Sequence, residues 1–209
     1  MTTETIKKEE ITLTHTQALV AHIAPDEGFH PGLANVEIRY EAKTGEMQTV
    51  ATNGRLLLSA TQKTEAEEGK SRESFKKTIA GNAIRQSLQM MGKDKLAKKI
   101  GLKVISREKE GKEEDIISVG SNGVFSEIVA TPTPQRFPDW ENIIPPFDDK
   151  SENHAIFDLE NLEHTIQTLK KMGVKSVDIQ HGDKIVRLDA IAADGTKIVG
   201  AIALMKKGE

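Results

Sequence analysis

Apolar and polar positions alternate along most of this chain, and Asn-Gly or Asp-Gly pairs punctuate the alternation at three places. They are "VATNGRLLLSAT" (Asn53-Gly54), "VGSNGVFSEIVAT" (Asn122-Gly123) and "IAADGTKIVGAIAL" (Asp194-Gly195). Asn, Asp and Gly tolerate positive φ, so each pair predicts a tight turn between two strands. The three turns recur about seventy residues apart, which predicts an internal repeat.

Upstream of each turn the period changes from two to that of a helix. "ITLTHTQALVAHIA" reads as a short strand and a short helix with Thr14 as N-cap. In "KKTIAGNAIRQSLQMMG", Ile84, Leu88 and Met91 fall on one helical face. In "HAIFDLENLEHTIQTLKKMG", Asp158 is the expected N-cap and Leu159, Leu162, Ile166 and Leu169 the expected buried stripe. Gly92 and Gly173 stand where helices should stop. Alternating runs follow each helix: "NVEIRYEA", then "LKVISRE" and "DIISVG", then "SVDIQHG" and "KIVRLDAIA". The predicted unit is strand, helix, three strands, and it occurs three times.

Two different linkers separate the units. "QKTEAEEGKSRES" is charged and lacks apolar anchors, as a solvated loop does. "PTPQRFPDW", residues 132–140, holds three of the seven prolines and the single Trp in a chain that is 4% aromatic. Proline removes a backbone donor and biases its predecessor towards extended geometry, so this run is neither helix nor central strand. It reads as an ordered connector, anchored by Phe137 and Trp140.

Composition narrows the chemistry. Charged residues are 29% and hydrophobic ones 37%, an ordinary soluble balance, and the absence of Cys excludes disulfides and thiolate chemistry. The N-terminus lacks an apolar core of the signal-peptide kind and no segment is long enough to span a bilayer, so a cytoplasmic location is expected. No phosphate-binding loop, dinucleotide fingerprint, zinc-protease motif or nucleophile elbow is present, and no enzyme, cofactor or metal is expected. The six His are scattered; His15 and His22 lie two helical turns apart and are assigned surface or capping roles.

The net charge of −3 hides a basic segment: Arg72 to Glu110 carries eleven Lys/Arg against four Asp/Glu. Arg85, Lys93, Lys95, Lys98 and Lys99 lie on or just after the second helix, with Gln89 beside them, and Lys170 and Lys171 end the third. Cations at a helix C-terminus also complement the macrodipole. The larger cluster suits a surface that contacts phosphates without reading bases.

"VATNGRLL" and "RFPDWENIIP", together with the repeat, resemble the bacterial sliding clamp, the beta subunit of DNA polymerase III. That family carries V-A-T-D-G-H-R-L in its middle domain and R-F-P-D-Y-x-x-x-x-P some seventy residues later. Here Val50 to Gly54 match with Asn for Asp, Leu57 matches the Leu, Arg136 to Asp139 and Pro145 match the second motif, and Trp140 replaces the Tyr. "AIALMKKGE" is similar to the family's V-V-M-P-M-R-L ending.

The resemblance implies an α+β DNA-clamp fold with curved antiparallel sheets and helices on one face. Residues 1–146 would be a clamp-like domain of two units (1–63 and 72–132) plus the connector Phe137, Pro138, Asp139 and Trp140. Residues 147–209 would be the third unit, half of a second domain, so the chain has three units where the bacterial clamp has six. It also implies a groove for partner peptides at Thr52, Gly54, Arg55, Leu56, Leu57, Ala203, Leu204, Met205 and Lys206. The family's His and Arg become Arg55 and Leu56, and its Met-Pro becomes Ala203-Leu204. The expected function is that of a processivity factor that associates with double-stranded DNA, tethers a DNA polymerase or another protein carrying a clamp-binding motif, and self-associates into a homo-oligomer. The alternative is a clamp-fold adaptor or decoy that binds such peptides without encircling DNA.

Overall fold

The computed structural model describes residues 7–26, 31–64, 73–90, 99–109, 112–121, 124–127, 136–142, 144, 157–182 and 184–204. The first unit runs β1 (Lys7–Thr14), α1 (His15–Leu19, continued by a 3-10 turn Val20–His22), β2 (Asn35–Glu41), β3 (Glu46–Thr52) and β4 (Leu56–Lys63). The second runs β5 (Phe75–Ala80), α2 (Gly81–Met90), β6 (Lys99–Lys109), β7 (Lys112–Ser121) and β8 (Val124–Glu127). The third shows α3 (Leu159–Lys171), β9 (Val177–His181), β10 (Ile185–Ile191) and β11 (Lys197–Ala203); the strand expected before its helix lies outside the described residues.

Local chemistry sets these boundaries. Thr14 and Gln17 form a capping box: the Thr14 hydroxyl accepts from the Gln17 amide at 3.2 Å while the Thr14 amide donates to Gln17 Oε1 at 3.0 Å. Asp158 caps α3 by accepting from the amides of Glu160 and Asn161. At the other end Val174 donates to Leu169 O and Gly173 to Lys170 O, the paired bonds of a Schellman motif, with Gly173 at φ 75. In the β3–β4 turn Gly54 takes φ 90, and the Asn53 carboxamide oxygen accepts from Arg55 and Leu56. Asp194 does the same for Thr196 in the β10–β11 turn. Asn122-Gly123, Met91 and Gly92 lie outside the described residues, although Ser121 pairs with Val124 across the β7–β8 turn.

The strands form curved antiparallel sheets by exchange between units. One sheet has the order β1-β6-β7-β8 and the other β5-β2-β3-β4-β11-β10-β9. The first strand of unit one thus completes the sheet of unit two, and the first strand of unit two completes the sheet of unit one. Unit three joins through β11, which pairs antiparallel with β4 from Lys197↔Thr61 to Ile202↔Leu56.

Alternation along the seven-stranded sheet separates two cores. Val36, Ile38, Met47, Ala51, Leu56, Leu58, Val186, Leu188, Ile198 and Ile202 face the helices and pack with Leu19, Ile84 and Leu169. Val50, Leu57 and Ala201 face the other way and are covered by Phe137 and Trp140, with Ile144 and Ile185 partly buried beside them. The Pro-rich segment is a strap across the face opposite the helices.

The buried stripe of α3 differs from the sequence expectation. Leu169, Thr165, Thr168 and the following Met172 are buried, whereas Leu159 is 79% and Ile166 44% exposed. Thr165 can turn inward because its hydroxyl donates to Asn161 O at 2.7 Å, so the helix rotates away from the register in which every large apolar residue is hidden.

Trp140 fills the outer core and its indole N–H serves a buried carboxylate. Trp140→Ala is expected to lower unfolding free energy by about 3–5 kcal/mol, and Trp140→Phe by about 1–3 kcal/mol through the lost donor alone. Urea unfolding followed by far-UV circular dichroism measures both; parent-like stability of Trp140→Phe would rule out a role for the indole donor.

Candidate partner groove and nucleic-acid face

The seam between β4 and β11 brings the two halves of the expected groove together. Beyond the last strand pair, Ala203 donates its amide to Arg55 O at 2.8 Å and Leu204 to Lys184 O at 2.8 Å. Thr52 is buried; its hydroxyl donates to Leu56 O at 2.9 Å and accepts from Gly54 at 3.1 Å, which stiffens the turn. The Arg55 guanidinium, 73% exposed, stands 3.6 Å from Asp158 at the start of α3, and Asn53 donates to Asn161 Oδ1 at 3.3 Å.

The apolar members of the set sit differently from the expectation. Leu56 faces the helix-side core and Leu57 packs under Phe137 and Trp140, so both are buried and neither lines open space. Strand alternation makes this unavoidable: adjacent residues face opposite sides of a sheet. Ala203 and Leu204 are half-buried, Gly54 is exposed, and Met205 and Lys206 lie outside the described residues. Among the described residues, what remains accessible is Gly54, Arg55, Ala203, Leu204 and the partly buried pair Ile144 and Ile185. Next to them a shallow depression of about 360 Å³ is lined by Gln48, Ser59, Trp140, Glu141, Ile144, Arg187 and Val199.

The strap is fixed electrostatically, through residues that the sequence pattern did not single out. Glu37 on β2 is fully buried; its Oε1 accepts from Trp140 Nε1 at 3.0 Å and from Arg39 Nε, and Lys76 Nζ lies 2.8 Å from Oε2. Arg39 also pairs with Glu141 and lies over the Trp140 ring, 5.1 Å from its centroid. Within the strap Trp140 donates its amide to Pro138 O at 3.0 Å, and Asp139 Oδ2 accepts from Asn142 at 3.1 Å. Alternation alone sets Glu37 with Asn35 and Arg39 on the polar face of β2, opposite Val36 and Ile38, and it is the covering strap that buries it.

On the helix side the expected phosphate-facing set divides. Lys170 and Lys171 are exposed at the end of α3, and Gln89 is exposed on α2. Arg85 is engaged elsewhere. Its guanidinium donates to Ala21 O at 3.0 Å and Ala24 O at 2.7 Å and pairs with Asp26 at 2.9 Å. These carbonyls end the first helix and need donors, so Arg85 is a structural cap and not a free cation. Lys99 pairs with Thr14 at the start of β6, and Lys93, Lys95 and Lys98 lie outside the described residues.

The same face holds a histidine tuned by its surroundings. His22 is lowered from 6.5 to about 4, first by burial and then by the positive field of Lys171, Arg85, His164 and His15. Asp194 is lowered too, against competing causes: burial raises its pKa, but hydrogen bonds from Thr16, at 2.7 Å, and from Thr196 outweigh it and leave the carboxyl below its ordinary value. The Asp194 turn is thereby tied to the start of α1, while Thr196 donates to Gln62 Oε1 at 3.2 Å. Among the described residues no group of three or more His, Asp or Glu is placed to hold a metal ion.

Acid stability follows from these two groups. Unfolded His22 takes up a proton below 6.5 and the folded form does so only near 4, so stability is full above pH 6.5 and falls between those values. Asp194 contributes stability above its unfolded value of 3.8, which is lost as pH falls through its lower folded value. His22→Gln is expected to flatten the decline between pH 6.5 and 4 and to leave the more acidic limb in place. Urea midpoints measured across pH would refute this if the variant and parent fell in parallel.

No known family pattern and no curated relative matches the sequence. Solved structures do match. The chain aligns over 96% of its length with a DNA polymerase III subunit beta sliding clamp from Bartonella birtlesii, at a TM-score of 0.55 and 13% identity, covering 64% of that chain. It aligns over 97% of its length with the beta sliding clamp of Caulobacter crescentus, at a TM-score of 0.56 and 9% identity, covering 66% of that chain. A second Caulobacter crescentus sliding-clamp structure gives a TM-score of 0.56 at 10% identity. The protein spans between 64% and 66% of the length of these clamp chains. The chain has the fold of the DNA polymerase III beta sliding clamps.

Proposed function

We propose that the protein is a non-catalytic, clamp-like factor, acting in the cytoplasm. It associates with duplex DNA through its helical face and tethers a polymerase or repair partner at the Arg55–Leu204 seam. The observation that carries this reading is the exposed cationic end of α3 on the helical face, with an accessible seam at the end of the same sheet. α1, α2 and α3 lie on one side with Lys170 and Lys171 exposed. The strap lies on the other, and the Arg55–Leu204 seam stands at the rim between them, with Arg55 paired to Asp158 at the start of α3 and Leu204 packed against the helix-side core. Exposed cations without base-reading geometry suit phosphate contacts of any sequence. Units one and two, exchanging strands, form one clamp-like domain over residues 1–146, and residues 147–209 supply half of a second.

A second reading, a peptide-binding adaptor that does not encircle DNA, is favoured by one specific observation. The accessible part of the seam, Arg55 with Ala203 and Leu204, is assembled within one chain and needs no ring.

Charge reversal at Lys95, Lys98, Lys170 and Lys171 separates the two readings. It is expected to weaken binding to duplex DNA at low salt and to flatten the salt dependence by about one unit of slope for each phosphate that is no longer neutralised. A topological clamp is also retained longer on circular than on linear DNA. Parent-like binding by the charge-reversed protein would remove DNA from the proposal. For the seam, Leu204→Ala is expected to weaken a clamp-binding-motif peptide by about 1–3 kcal/mol, as truncation of an anchoring side chain does; isothermal titration checks this, and unchanged affinity would sink the groove.

A further inference from the structure

Three histidines meet at the junction of the first and third helices. His15 and His22 lie seven residues apart, and so do His164 and Lys171 on α3, so each pair shares one side of its helix. α1 packs against α3, with Leu19 and Leu169 in the same core. Lys171, Arg85, His164 and His15 all act on His22, so the two pairs form one strip. His15 and Lys171 are exposed, and His22 and His164 are half-buried. At about 1.5 Å of rise per residue the strip is about 10 Å long, the length of about three steps of a duplex strand.

No carboxylate balances this strip. Every charged group that acts on His22 is basic: His15 on its own helix, Arg85 on α2, and His164 and Lys171 on α3. Nearby acids are committed elsewhere. Asp26 pairs with Arg85 at 2.9 Å, Asp194 accepts from Thr16 and Thr196, and Glu163 accepts from Gln167 on the solvent side of α3. By alternation β2, β3 and β4 present no charge to this side, and the buried Glu37 lies on the opposite face. Like charges gathered without a counter-charge favour either neutral histidines or a bound anion.

We propose that the α1–α3 junction is a proton-linked phosphate subsite, which takes up protons when a phosphodiester backbone lies along it, so that duplex association strengthens as pH falls. This deepens the DNA reading and rests on it. His22 is held near 4 first by burial and then by the positive field of its neighbours. Burial is set by the fold, but the field is cancelled by a phosphate beside Lys171. The bound form of His22 therefore titrates closer to 6.5 than the free form, and the proton enters in the window between the two values. By reciprocity, the protonated protein holds the phosphate more tightly. Phosphodiesters keep their charge throughout this window, so the linkage belongs to the protein.

Isothermal titration of a short blunt-ended duplex at constant low salt, in paired buffers of different ionisation enthalpy, counts the protons taken up per complex. Uptake is expected at pH 5.5 and not at pH 8, with affinity rising about tenfold for each pKa unit that binding restores. His22→Gln is expected to remove most of the uptake and His164→Gln part of it, with circular dichroism confirming that each variant is folded. His164 stands on a different helix, so its variant tests the strip without disturbing the end of the first. Proton NMR of the imidazoles, with and without duplex, is expected to show the His22 titration moving up on binding. Duplex binding with the same affinity at both pH values and no proton uptake would overturn the proposal and leave the DNA reading standing, as would uptake that persists in both variants. Absence of duplex binding at every pH would remove the DNA reading and this subsite with it.

Discussion

A single buried carboxylate joins parts of the protein that the chain order keeps far apart. Glu37 has no exposure to solvent, and a charge in that position is strongly unfavourable unless it is paired and hydrogen-bonded. Its partners arrive from three directions: Arg39 from its own strand, Lys76 from the exchanged strand β5, and Trp140 from the strap. Removing any one of them leaves part of a buried charge uncompensated. The strap therefore lies where Glu37 can be satisfied, and the outer core of Val50, Leu57 and Ala201 is covered as a result. The second motif of the sequence, "RFPDW", is as much a partner to β2 as a connection between units.

That arrangement also accounts for where Leu56 and Leu57 lie. Motif matching assigned Leu56 and Leu57 together to a partner site, but neighbouring residues in a strand face opposite sides of the sheet. One belongs to the helix-side core and the other lies under the strap. Accessible at the seam are the turn with Arg55 and the half-buried Ala203 and Leu204 at and just past the end of β11.

Much of the fold was legible in the sequence because its signals are local. Thr14 and Asp158 were readable as caps, Gly173 as a helix stop, and Asn53-Gly54 and Asp194-Gly195 as turns, since each acts through bonds within a few residues. The strand–helix–strands repeat followed from periodicity alone. Pairwise long-range choices were not legible. Nothing local to Arg85 says that it reaches the carbonyls of Ala21 and Ala24, more than sixty residues away in the chain. Nothing in the α3 stripe says that two threonines go inward while Leu159 and Ile166 stay out. That burial pattern depends on which element covers the helix, a property of the assembly and not of the helix.

The exchange of first strands has a consequence for how the chain reaches its native state. β1 pairs with β6 from Lys7↔Ser106 onward, and β4 pairs with β11 from Thr61↔Lys197, so the partners in both ladders are separated by most of a domain's length. Loops of that size must close before their contacts contribute, which places the protein among slow, non-local folders. During synthesis the first strand waits for its partner until the second unit has left the ribosome, and neither of the first two units has a complete sheet on its own. Folding is thus expected to be cooperative across the unit boundary, with the repeat visible in the architecture but not in the kinetics.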